Sequence, residues 1–79
     1  MRPSDVMREL ATLLRSQGLT RLYWSACAVA GVVSVAQGLT VWTDGRRLRW
    51  RVNGQDTLWP ADDTEGAATQ LAKLARPAA

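Results

Sequence analysis

The stretch DGRRLRWRVNG, residues 44–54, holds four of the chain's ten basic residues and one of its four tryptophans. Between a turn signal at Asp44-Gly45 and another at Asn53-Gly54, arginine alternates with apolar side chains. Both dipeptides favour two-residue hairpin loops, because such loops need positive φ at both central positions. With a two-residue loop at each point, Val41 pairs with Leu48 and Leu39 with Trp50 across the first turn. Across the second, Leu48 pairs with Trp59, Trp50 with Thr57 and Val52 with Gln55. Side chains alternate across a strand, so Leu39, Val41, Leu48, Trp50, Val52 and Trp59 collect on one face, the expected core. Thr40, Trp42, Arg47, Arg49, Arg51, Asp56 and Leu58 collect on the other. Arg47 is expected opposite Trp42 as a cation–π pair, and Arg51 opposite Asp56 as a cross-strand ion pair.

The core face needs a cover, and the two ends of the chain supply it. Val6, Met7, Leu10, Leu13 and Leu14 recur at helical spacing, with Ser4 as the expected N-cap, Asp5 in the first turn and Gly18 as the stop. A second stripe, Ala67, Ala68, Leu71, Leu74 and Ala75, follows Pro60. There Asp62 and Glu65 form the expected capping box, and Arg76-Pro77 closes the helix. The DDTE cluster is explained by capping alone.

Residues 19–38 carry no charge after Arg21 and are rich in Ala and Val. A strand here places Leu22, Trp24, Ala26 and Ala28 on one face and Tyr23, Ser25, Cys27 and Val29 on the other. Gly31 marks a break, Val32 to Val35 form a further strand, and Gln37-Gly38 a turn. The expected fold is α+β, one small domain over residues 1–79. It runs as an N-terminal helix, an antiparallel meander of three or four strands and a C-terminal helix, with both helices on one face of the sheet.

Composition narrows the function classes. The chain has 79 residues and a net charge of +3, enough to favour acidic partners but far from the density of a dedicated nucleic-acid arm. The arginine excess, with abundant Ala, Gly and Val, is also what GC-rich bacterial coding produces, and the chain resembles short proteins of such genomes, a likeness that implies no activity. There is no histidine, so the commonest general base and metal ligand are missing. The single cysteine, Cys27, rules out an internal disulfide and reads as a small buried hydrophobe. No zinc spacing and no phosphate-binding glycine loop occur. The expectation is a non-enzymatic protein with no cofactor and no metal. The charged amphipathic start predicts no export signal, and with the lone cysteine it predicts a cytoplasmic protein. The uncharged run from Leu22 to Thr43, with Trp24 and Trp42 near its ends, resembles a belted membrane span. Its serines, glycines and Gln37 count against that, and the hairpin uses Val41 and Trp42 well.

The order helix, strands, helix resembles the double-stranded-RNA-binding domain, α-β-β-β-α. That family binds phosphates with lysines at the start of its last helix. Asp62, Asp63 and Glu65 stand at the matching positions, so the phosphate contact does not carry over. What remains is the outward face of the sheet, and Trp42, Arg47, Arg49, Arg51 and Leu58 are its candidate partner-binding residues. Trp, Tyr and Arg dominate protein interfaces. The first expectation is therefore an interaction module that self-associates or binds a larger protein, and a homo-oligomer is expected. The alternative is nucleic-acid binding, with the arginines on phosphates and Trp42 stacked on a base.

Overall fold

The computed structural model describes residues 2–75. Helix α1 (Pro3–Ser16) is followed by strands β1 (Tyr23–Ala26), β2 (Gly31–Ala36), β3 (Leu39–Thr43), β4 (Arg47–Val52) and β5 (Gln55–Pro60), and helix α2 (Thr64–Ala75) comes last. The strands form one antiparallel sheet in the order β1-β2-β3-β4-β5. The expected class and order hold, with five strands where three or four were expected. The additional strand comes from Cys27–Ala30, which turn the chain back, the Cys27 N–H donating to the Ala30 carbonyl at 2.8 Å. Five strands also depart from the three of the double-stranded-RNA-binding domain.

Both helices pack on the same face. Val6, Met7, Leu10, Ala11 and Leu14 of α1 and Ala67, Ala68 and Leu71 of α2 join Val33, Val35, Leu39, Val41, Leu48 and Trp50 in one buried cluster. Each fully buried Leu, Val or Met contributes about 1.5–3 kcal/mol in apolar surface removed from water. Trp50 is 1% exposed and stacks on half-buried Trp59, ring centres 5.8 Å apart. Gly31 opens β2 directly beneath α1: a Cβ there would lie 2.6 Å from Met7 Cγ and 3.3 Å from the Pro3 carbonyl oxygen. Only a residue without a side chain lets helix and strand approach this closely.

The second hairpin turns where expected. Asn53 (φ 53°) and Gly54 (φ 79°) both adopt positive φ, and Val52 pairs with Gln55, Trp50 with Thr57 and Leu48 with Trp59. The first hairpin is corrected by two residues. Val41 pairs with Trp50 and Thr43 with Leu48, rather than Leu39 with Trp50 and Val41 with Leu48. The cause is the Asp44 carboxylate, which accepts hydrogen bonds from the N–H groups of Arg46 (2.8 Å) and Arg47 (3.0 Å). The Thr43 hydroxyl meanwhile donates to the Arg47 carbonyl at 2.7 Å and accepts from the Gly45 N–H. These side-chain bonds favour a longer turn in which Gly45, but not Asp44, has positive φ. A slip of two preserves the side-chain parity, so the faces survive it.

Both helix starts also differ from expectation. Proline takes the first position of α1, with Arg2 as N-cap and no side-chain cap, so Ser4 lies inside the helix. Asp63, not Asp62, caps α2: its Oδ1 accepts from the Gly66 N–H at 3.1 Å. The same residue accepts from Trp59 Nε1 at 3.0 Å through Oδ2, tying β5 to the helix. The helix-closing role of Arg76-Pro77 lies outside the described residues. At the end of α1, the Leu19 N–H reaches the Leu14 carbonyl and Gly18 takes φ +96°, a glycine-terminated helix as expected. The Thr64 hydroxyl donates to Glu9 Oε1 at 2.6 Å, joining the two helices.

Candidate functional site: the open face of the sheet

Trp42, Arg47, Arg49, Arg51 and Leu58 all project from the sheet face opposite the helices, and all are exposed. The registers of the two hairpins align three of them. Trp42 lies opposite Arg49 on β4, and Arg49 opposite Leu58 on β5. Continuing the other way, Trp42 lies opposite Val32, and Val32 opposite Ser25, so this row crosses all five strands. Adjacent strands are about 4.8 Å apart. Trp42 and Leu58, 49% and 58% exposed, are therefore held about 10 Å from each other with one guanidinium stem between them.

Arg49, not Arg47, is thus the neighbour of Trp42, a correction that follows from the longer turn at Asp44. Arg47 sits at the start of β4 opposite Pro60. The pair expected between Arg51 and Asp56 is present, with Nε to Oδ1 at 2.9 Å and Nη2 to Oδ2 at 3.4 Å. The hydrogen bond from Arg51 holds the Asp56 carboxyl below its ordinary range, and Asp56 in turn raises Arg51. Both side chains are well exposed, so the pair orients more than it stabilises. Among the described residues Arg47 and Arg49 make no ion pair. Asp44 is nearby, but its carboxylate is engaged by the backbone N–H groups of Arg46 and Arg47, which hold its pKa below the ordinary range.

Two shallow depressions flank the Trp42–Arg49 pair. One, of about 440 Å³, is bounded by Thr40, Arg51 and Asp56; the other, of about 380 Å³, by Arg47, Leu58 and Ala30. Neither encloses a small molecule. Together they form a relief in which apolar surface alternates with arginine side chains.

Tyr23 shares this face at its β1 edge and is 75% exposed. Cys27 and Val29 do not extend the strand; both lie in the β1–β2 turn and are exposed. Cys27 is therefore not the buried hydrophobe expected. The N–H groups of Val29 and Ala30 favour its thiolate and lower its pKa. Val32 and Ser34, half-buried beside Trp42 and Thr40, belong to the open face as well. Their signal in the sequence is the alternation Gly31-Val33-Val35, which alone is inward.

Among the described residues no three His, Cys, Asp or Glu side chains gather to hold a metal ion. No helix among them is long and apolar enough to cross a membrane, and the uncharged run from Leu22 to Thr43 is strand and turn. In comparison with known proteins, the chain matches no family model, no curated protein and no solved structure.

Proposed function

We propose that this protein is a non-catalytic interaction module that takes a protein partner on the open face of its sheet. The observation that carries the reading is the row Trp42–Arg49–Leu58, two large apolar side chains left half-exposed on either side of a guanidinium that makes no ion pair among the described residues. Scattered surface leucines need no explanation, but an aromatic and a leucine set in register around arginine form a patch of the composition that protein interfaces favour. Three arginines, Arg47, Arg49 and Arg51, against the one carboxylate of Asp56 leave the face with an excess of positive charge, which opposes the meeting of two copies face to face. The charge therefore favours a different protein, one that offers carboxylates to the arginines and an apolar side chain to Trp42.

Nucleic-acid binding is the second reading, favoured by Arg47, Arg49 and Arg51 standing on alternate positions of one strand, about 7 Å apart. Three phosphate contacts would give a log–log salt slope of about −2 for a single strand. The Arg51–Asp56 pair and the acidic start of α2 weaken such a track. Titration with single-stranded oligonucleotides over a salt series separates the readings. The protein-partner reading expects affinity weaker than about micromolar at physiological salt, the range of non-specific binding. Tighter binding with the steep slope, abolished when all three arginines become alanine, would replace it with the nucleic-acid reading.

A further inference from the structure

We infer that strand β1 is a dimerisation edge, at which two copies of the chain pair antiparallel into one continuous sheet. The contact uses the β1 edge and not the row Trp42–Arg49–Leu58, so the inference stands or falls separately from the proposed function. The sheet ends in β1 on one side and β5 on the other. Exposed edges invite pairing with another chain unless charge, proline or a bulge blunts them. β5 carries Asp56 and ends at Pro60, whereas Tyr23-Trp24-Ser25-Ala26 is blunted only by its length of four residues and carries no charge or proline.

The backbone fixes how two copies fit. The bond from the Cys27 N–H to the Ala30 carbonyl marks these residues as a hydrogen-bonded pair. Antiparallel ladders alternate, so Ser25 with Val32 and Tyr23 with Ser34 also bond inward to β2. The N–H and C=O groups of Trp24 and Ala26 consequently point away from the sheet. Only a register in which residues of the same parity meet keeps each helical layer on its own side. With a two-fold axis at Ser25, Trp24 of each copy bonds Ala26 of the other, and every outward group within both strands is paired.

Side chains agree with this register. On the helical side, bulky Trp24 meets small Ala26, beside a depression of about 420 Å³ bounded by Ala26, Cys27, Ala28, Ser4 and Arg2. On the open side, Ser25 meets Ser25 and Tyr23 meets Cys27. No like charges face each other within the strands, and Arg21 falls near the uncharged turn of the second copy. The occupant is therefore a second copy of this chain, and its pairing leaves both open faces free and side by side.

Light scattering coupled to size-exclusion chromatography tests this on the full chain. The wild type is expected at twice its 8.7 kDa mass. Ser25→Lys sets like charges on the axis and Ala26→Pro removes an outward N–H; each is expected at the monomer mass. Ser25→Lys changes only an exposed side chain, so an unchanged circular dichroism spectrum accompanies its loss of dimer even if Ala26→Pro misfolds, and its melting temperature no longer rises with protein concentration as the wild type's does. In a Cys27→Ser background, Ser25→Cys should oxidise to a disulfide-linked dimer, since a non-hydrogen-bonded pair sets its Cα atoms about 4.5 Å apart. A wild type that stays monomeric at every concentration overturns the inference. So does a dimer that survives Ser25→Lys and is split by Trp42→Ser with Leu58→Ser, or a dimer in which the Ser25→Cys chains never cross-link.

Discussion

Replacing Trp50 with alanine removes the largest fully buried side chain of the core. It lies on β4 between Val41 and Thr57 and stacks on Trp59. Large-to-alanine changes at such sites cost about 3–5 kcal/mol through lost burial and the cavity left behind. Loss of the stacked pair lies within or adds to that figure by about 0.5–1.5 kcal/mol. At about 0.05–0.15 kcal/mol per residue, a chain of 79 residues has a total stability of about 4–12 kcal/mol. Trp50→Ala therefore consumes much of it, and the melting temperature should fall by at least about 12 °C. Arg49, the next residue, is exposed on the opposite face. Arg49→Ala should change stability by less than about 0.5 kcal/mol. Thermal melts of the two variants, followed by circular dichroism, decide the matter. Comparable falls in both would refute the assignment of the two faces.

Three further perturbations probe the supports of the fold and the site. Asp63→Ala removes both the cap of α2 and the acceptor for Trp59 Nε1 and should cost about 1–2 kcal/mol in chemical denaturation, whereas Asp62→Ala should cost less than about 0.5 kcal/mol. Gly31→Ala drives a methyl into Met7 and should cost about 1–3 kcal/mol by the same measurement. The Asp56 carboxyl is depressed in the folded protein, so the stability it contributes is present above the ordinary carboxylate pKa and is lost as pH falls through its folded value. An NMR titration should find Asp56 below the ordinary range, and Arg51→Ala should raise it, with the Arg49 charge still holding it down.

The sheet's faces were legible in the sequence because alternation and the Asn53-Gly54 turn act on a short range, and a two-residue register error leaves parity intact. The outward placement of Trp42, Arg47, Arg49, Arg51 and Leu58 was legible for the same reason, since it needs only the parity of their strands. Which of them are neighbours was not legible. Asp44 can accept a pair of backbone N–H groups or sit in a tight loop, and only the folded turn decides between them. The cap expected at Ser4 missed by two residues because Pro3 starts a helix without a side-chain cap, and the cap expected at Asp62 missed by one because Asp63 is fixed by Trp59, a contact invisible to local pattern. Gly31 signalled a break, but the Cys27–Ala30 turn itself lacks Pro, Gly, Asn and Asp, so its composition does not locate it, and the exposure of Cys27 follows from that turn.

The central claim, a protein partner on the open face, is tested most directly by quantitative affinity capture from the cells that express the chain. The wild type is compared with the Trp42→Ser, Leu58→Ser double variant, each after nuclease treatment. Both substitutions are at exposed positions, so the variant should keep the wild-type circular dichroism spectrum and melting temperature. The account predicts one protein recovered in constant proportion by the wild type, insensitive to nuclease and lost with the double variant. Equal recovery by the two chains, or recovery abolished by nuclease, would contradict it.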